Sequence, residues 1–197
     1  MTKKIYERIW ALAKPYLNTR KNDIHTEMAT RCAYLLLEKE GGEEEIVIPA
    51  IILHDVGWKK VPEELHLKAF GPKATMPKVR RVHEVEGVKI AREILEKINY
   101  DQKKIKEILR IIEGHDSRKE PISLNDKLVK DADKLWRYSK EGFQINRKRY
   151  EHTFEQYMER LRSHLDKWFL TESGKETAKQ EIQNRSKDSR DDQNESS

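Results

Sequence analysis

The chain has 197 residues, with 40 Lys and Arg against 35 Asp and Glu, a single cysteine and 36% hydrophobic residues. That length and apolar content suit one domain built on one modest core. Cys32 alone closes no intramolecular disulfide and builds no cysteine-based zinc or redox motif, so any metal falls to histidines and carboxylates.

Apolar residues recur at helical spacing along most of the chain, and no window alternates as a half-buried strand does. This predicts an all-α fold, a single helical bundle followed by a disordered C-terminal tail. The first helix sets Ile5, Ile9, Leu12 and Tyr16 on one face, with Thr2 able to cap it and Pro15 pressing it to end. Glu7, Arg8 and Lys14 break its apolar residues, so no signal-peptide core forms and a cytoplasmic protein is expected. A second helix, capped by Asn22 or Asp23, runs towards Glu40 and stops at Gly41-Gly42, turning His25, Met28, Cys32, Leu35 and Leu36 inward. The third element runs from Ile46 to Asp55, with Pro49 in its first turn and Gly57 at its end. Its apolar part, Ile46 to Leu53, is the longest in the chain and too short to span a membrane. Gly57 to Pro77 reads as a long loop with room for a short helical turn, the kind of segment that commonly flanks a binding site.

Beyond that loop, a helix from about Lys78 to Ile98 buries Val79, Val82, Ile90, Ile94, Leu95 and Ile98, with His83 and Gly87 on the same stripe. Asp101 caps the next helix, which points Ile105, Ile108, Leu109 and Ile112 inward and closes at Gly114, directly before His115. Two further helices follow, one carrying Leu124, Leu128, Ala132, Leu135 and Trp136, the other a long one with Tyr150, Phe154, Tyr157, Leu161, Leu165 and Trp168 in register. From Ser173 onward five basic residues face six acidic ones and little can be buried, so residues 173–197 read as the polar tail and 1–172 as the domain. The net charge of +5 is interleaved rather than gathered into a stripe, which argues against nucleic acid as a partner.

The most specific local feature is His54-Asp55. An imidazole and a carboxylate buried side by side at a helix end are costly unless something compensates both, and a divalent cation does so. His25 and His83 lie on buried stripes, and Gly87, one turn after His83, leaves room for a ligand to approach. His115 follows a helix end beside Asp116, where the helix dipole also favours a cation. Asp131 and Asp133 flank the stripe of Leu128, Ala132 and Trp136 on opposite sides, so periodicity does not choose between them. One metal site shared by His25, His54, Asp55, His83, His115 and one of these aspartates explains the pattern jointly. His66 in the long loop, and His152 and His164 off the last stripe, are assigned ordinary structural or surface places.

The order His25, then His54-Asp55, then a late Asp in Ala132-Asp133-Lys134-Leu135, resembles the HD-domain metal-dependent phosphohydrolases over about residues 20–140. Resemblance to the family's Ala-Asp-x-Leu motif selects Asp133 as the ligand and leaves Asp131 to support it. His83 and His115 match the added histidines of a two-metal branch that includes phosphodiesterases and enzymes cleaving dinucleoside polyphosphates. Glu113-Gly114-His115-Asp116-Ser117 departs from the His-Thr-Thr-Gly wording of the latter group, and Lys59 lies one residue later than its lysine, so the resemblance does not extend to that substrate.

Carried over, the resemblance implies that Asp55 bridges two cations, with His25, His54 and Asp133 completing one site and His83 and His115 supplying the second. It gives His54 and Asp55 the catalytic role of activating a water for in-line attack at phosphorus. One or two ions are expected. The imidazole-rich donor set favours Mn, Fe, Co, Ni or Zn over Mg, although availability can bring in Mg. The implied partner is a small phosphorylated substrate, a nucleotide first. Its phosphates would meet Lys59-Lys60, Lys78 with Arg80-Arg81, or Arg118-Lys119, which border three ligand segments in sequence, and Trp58 could stack a base. The competing readings are a non-catalytic metal- or nucleotide-binding regulatory module and an RNA-binding helical protein.

Overall fold

The computed structural model describes the backbone of residues 2–69, 75, 76 and 78–194, which form ten α-helices and no strand. In chain order these are α1 (Thr2–Leu17), α2 (Asn22–Glu40), α3 (Glu44–Leu53), α4 (Glu63–Ala69), α5 (Lys78–Lys97), α6 (Gln102–Gly114), α7 (Leu124–Leu135), α8 (Lys140–Arg149), α9 (Phe154–Trp168) and α10 (Glu172–Asn194). Short 3-10 stretches cover Val56–Lys60 and Trp136–Tyr138. Among the described residues no helix is long and apolar enough to cross a membrane.

α3 is the central post. Every residue from Ile46 to Leu53 is buried, as a helix apolar on all sides must be. Each enclosed Ile or Leu contributes about 1.5–3 kcal/mol, which anchors the costly His54-Asp55 pair at its end. α1, α2, α6 and α7 pack around it, and their apolar faces share one core cluster with α5. Pro49 is the sixth residue of α3 rather than part of its first turn. Having no N–H, it leaves the carbonyl of Glu45 without its helical donor, and the Tyr100 hydroxyl supplies one at 2.7 Å. Pro15 likewise sits inside α1, which continues to the buried Leu17.

The segment expected as a long loop is largely structured up to Ala69: the 3-10 stretch is followed by α4, and Trp58, Val61 and Ala69 form a small cluster with Val79. Residues 70–74 and 77 of that expectation lie outside the described residues. Val82, expected inside, is 48% exposed, because α5 is covered on the side of His83 and Gly87. The backbone after Asp55 runs against α5 so closely that a Cβ on Gly57 would overlap the His83 carbonyl oxygen and the Gly87 nitrogen. Gly57 is what admits this approach, and the space at Gly87 faces the turn after α3, where a Cβ would meet the His54 carbonyl oxygen at 3.5 Å, an ordinary contact.

The long helix expected with Tyr150 to Trp168 in register starts only at Phe154, and a separate, unexpected helix, α8, precedes it. α8 ends at Arg149, Tyr150 and Glu151 lie in the link, and α9 restarts on a reciprocal cap in which Thr153 Oγ1 accepts from Gln156 N at 3.2 Å and Gln156 Oε1 accepts from Thr153 N at 2.9 Å. The stretch from Ser173, expected as a disordered tail, is helical in α10. Ala178 and Ile182 are buried there with Leu135, Tyr138, Tyr157 and Leu161 in a second cluster. Asp131 fixes the start of α10 by accepting from Leu170 N, Thr171 N and Thr171 Oγ1 at 2.8, 2.9 and 2.7 Å.

The two glycines of the α3–α5 contact give opposite expectations. Gly57→Ala lowers unfolding stability by at least ~1–3 kcal/mol, the usual cost of overpacking, because backbone atoms stand in the way. Gly87→Ala is neutral or stabilising by up to ~1 kcal/mol, since alanine is the better helix former and its methyl has room. Urea unfolding of both variants checks the pair, and equal losses would contradict the geometry.

Candidate metal centre

Five segments deliver side chains to one place. α2 presents His25, the end of α3 presents His54 and Asp55, α5 presents His83, the end of α6 presents His115, and α7 presents Asp133. His54, His83 and His115 are at most 3% exposed, and His25, Asp55 and Asp133 are also buried.

The ring nitrogens converge in pairs. His25 Nε2 lies 2.9 Å from His54 Nε2, and His83 Nε2 lies 3.2 Å from His115 Nε2. Asp55 stands between the pairs with one oxygen for each. Its Oδ2 is 3.4 Å from His25 Nε2 and 3.6 Å from His54 Nε2, while Oδ1 is 3.7 Å from His83 Nε2 and 3.5 Å from His115 Nε2. Asp133 Oδ1 joins the first pair at 3.4 and 3.8 Å. Asp116 Oδ2, which the sequence reading did not assign, joins the second at 3.5 and 3.6 Å. His25, His54 and Asp55 form one group able to hold a metal ion, and Asp55, His83 and His115 another.

Helix geometry sets the rings. His54 Nδ1–H donates to the Ile51 carbonyl at 2.7 Å, and His115 Nδ1–H donates to the Ile112 carbonyl at 2.8 Å. Each bond satisfies a carbonyl in the last turn of its helix and aims Nε2 at the centre. The Trp58 indole N–H donates to Asp55 Oδ1 at 3.0 Å, and Trp58 stacks on His83 with ring centroids 4.2 Å apart. The loop bearing His115 is clamped on both sides. Buried Glu84 accepts from the backbone of Asp116 and Ser117 at 3.0 and 2.8 Å, and buried Lys130 donates to the carbonyls of Gly114, His115 and Arg118 at 2.6, 2.9 and 3.0 Å.

Electrostatics prepare most of these groups for a cation. Burial lowers His25 to about 3 and His83 to about 4, so both are neutral at pH 7 with a lone pair to offer. His115 goes the other way: burial opposes its charge, but Asp116, then Asp55 and Glu84, outweigh that and raise it to about 9. Burial also opposes charge on Asp55 and Asp133. The surrounding histidines nevertheless hold Asp55 well below the usual carboxylate range, and Lys134 and Arg137 do the same for Asp133. Lys134 bonds Asp133 and reaches Asp116 Oδ1 at 3.4 Å. Buried imidazoles and acids around shared points are the donor set a borderline divalent cation takes.

The remaining assignments divide. Asp131 is buried on the other side of α7 and ties down α10, so it does not support the centre. His66 lies beside Trp58, and its Nε2–H donates to the Val61 carbonyl at 2.9 Å. Of the expected phosphate cations, Arg80 lines a cavity beside the centre, together with His164. Lys59 bonds Asn18, Arg81 is held by Glu113 and Glu84, Arg118 by Asp126, and Lys78 is exposed. The guanidiniums lining the cavity at the centre belong to Arg20 and Arg137, which stand near His25 and Asp133 in sequence, and to Arg149, which is distant; none of the three is among the expected phosphate cations.

The sequence profile of the HD domain family matches residues 22–138, a span containing His25, His54, Asp55, His83, His115 and Asp133. In fold the chain is similar to the crystal structure of a predicted HD superfamily hydrolase from an uncultured Thermotogales bacterium, with a TM-score of 0.65 at 17% identity over 97% of this chain and 92% of that one. No curated protein matches the chain. With the family profile extending over more than half of its length, and the His-Asp pair at the end of its buried third helix, the chain belongs to the HD domain family.

Proposed function

We propose that the chain is a metal-dependent phosphohydrolase acting on a small phosphorylated substrate, a nucleotide first. The observation that carries this reading is the division of Asp55, whose two carboxylate oxygens face two separate histidine pairs. In this reading His25, His54, Asp55 and Asp133 hold one cation, and Asp55, His83 and His115 hold the other. Such a pair, when bound, lowers the pKa of water and stabilises the attacking and leaving oxygens of an in-line displacement at phosphorus. The chain's own part is preorganisation. Backbone carbonyls fix the rings of His54 and His115, Trp58 holds Asp55, and Lys134 and Arg137 balance Asp133. Membership of a family of generally metal-dependent phosphohydrolases supports the same reaction class.

A nucleotide is supported by the outer cavity, of about 350 Å³, which places Tyr150, Tyr157 and Trp168 beside Arg80 and Arg160. Aromatic faces and guanidiniums lining one cavity suit a base and its phosphates together. The nitrogen-rich donors favour Mn, Fe, Co, Ni or Zn over Mg.

Asp55→Asn removes the shared charge, and at least ~100-fold in metal affinity and turnover is expected to go with it, more than the usual loss for a group that merely supports a ligand. Elemental analysis and hydrolysis of aryl phosphates and a nucleotide panel, with Mn, Co, Ni or Mg and with chelator, check both. Absence of turnover with every metal would leave a binding module. The ionisation of His115 gives a second expectation. Protonated below about 9, it must lose that proton to bind a cation, so apparent affinity rises with pH between 7 and 9. Uptake at pH 7 then releases roughly one proton from this ligand. Calorimetry in buffers of different ionisation enthalpy measures it, and a proton count of zero would contradict the assignment of His115.

A further inference from the structure

The two halves of the metal centre are built alike. Around His25 and His54 stand one oxygen of Asp55 and Oδ1 of Asp133, and around His83 and His115 stand the other oxygen of Asp55 and Oδ2 of Asp116. In the first half the two Nε2 atoms are 2.9 Å apart, and Asp133 lies 3.4 and 3.8 Å from them. In the second half the Nε2 atoms are 3.2 Å apart, and Asp116 lies 3.5 and 3.6 Å from them. Lys134 completes the correspondence, because it takes the oxygen that each aspartate turns away from its histidines, Oδ2 of Asp133 and Oδ1 of Asp116, the latter at 3.4 Å. The motif that selects Asp133 offers no counterpart at position 116.

These spacings suit a shared ion better than hydrogen bonds. A ring N–H donates to a carboxylate over about 2.7–3.2 Å, and Asp116 Oδ2 stands beyond that range from both rings. Donor atoms about 2.0–2.2 Å from one ion, at tetrahedral angles, are instead roughly 3.3–3.6 Å apart. Asp116 has little freedom to be elsewhere. Its backbone N–H donates to Glu84 at 3.0 Å, Lys130 holds the carbonyls of His115 and Arg118 at 2.9 and 3.0 Å, and its side chain is 12% exposed, as that of Asp55 is. The pairing with Lys134 does not speak against a ligand, since Asp133 has the same partner.

We propose that Asp116 is the terminal carboxylate of the second ion, so that each ion has two imidazoles, one oxygen of Asp55 and an aspartate of its own, with Lys134 linking the two aspartates. This rests on the two-ion reading above and changes its ligand count: the second ion gains a fourth protein donor and a negative charge. The two sites then match in donor type and in charge, and both fill at similar metal concentrations.

The test is the number of Mn ions held by the full chain at equilibrium, measured by dialysis and elemental analysis, in the parent and in Asp116→Asn, which keeps an acceptor for Lys134. The parent is expected to hold two ions and the variant one, its affinity for the second falling at least ~100-fold, more than the usual loss for a group that only supports a ligand. A role confined to pairing with His115 gives the opposite sign. Burial disfavours the proton on His115, and Asp116 is the first of the charges that keep it there. Removing that charge would ease loss of the proton and leave the second ion bound as tightly as before or more so. Two ions in both chains would therefore overturn the assignment of Asp116 and keep the two-ion reading, whereas a parent holding fewer than two removes that reading and this assignment with it. Should Asp116→Asn fold poorly, anomalous diffraction from the Mn-loaded parent decides without a variant: Asp116 Oδ2 is expected in the coordination shell of the ion beside His83 and His115, and an ion there with Asp116 turned away would overturn the proposal. None of these readouts depends on turnover.

Discussion

A carboxylate and four imidazoles held out of water, with ring nitrogens 2.9–3.2 Å apart in pairs, are the constraint on which the rest of this protein turns. Two facing Nε2 atoms repel unless a proton or a cation lies between them, and the Asp55 oxygens sit where a cation would need them. Burying such groups is unfavourable by itself. The apolar α3 makes the arrangement possible, since its enclosure on all sides drives its C-terminal end, and with it His54 and Asp55, into the interior.

Helix ends do much of the positioning. His54 and His115 each follow the last residue of a helix and spend Nδ1–H on a carbonyl three residues back, so one interaction caps the helix and orients the ring. The Gly57–Gly87 contact sets the height of α5 and therefore of His83. Glu84 and Lys130, of opposite charge, both bond the backbone of the loop that bears His115, which confines that histidine. Arg20, Arg137 and Arg149 line the cavity beside these groups together with Asp55, Asp116 and Asp133.

Much of the site was legible in the sequence because it follows periodicity. His25 and His83 fall on apolar stripes, and His54-Asp55 ends the most apolar run in the chain. Asp133 was not legible from periodicity, since Asp131 and Asp133 are both buried, on opposite sides of α7, one bound to α10 and the other facing the histidines. The cations were misread for a related reason. Lys59, Arg81 and Arg118 are close to ligands along the chain but turn to Asn18, to Glu113 and Glu84, and to Asp126, while Arg20 and Arg137, equally close to His25 and Asp133, line the cavity with Arg149, and sequence distance does not tell the two sets apart. α10 escaped because its packing rests on few apolar residues, Ala178 and Ile182 among them, in an otherwise polar helix. Asp116 carried no signal beyond its place next to His115.

Anomalous diffraction from crystals of the Mn-loaded protein tests the central claim most directly. The account predicts two peaks, one on each side of the Asp55 carboxylate and about 3.5–4 Å apart, the first beside His25 and His54 and the second beside His83 and His115. Density for Mn at neither position, with the histidines still turned towards one another, would contradict it.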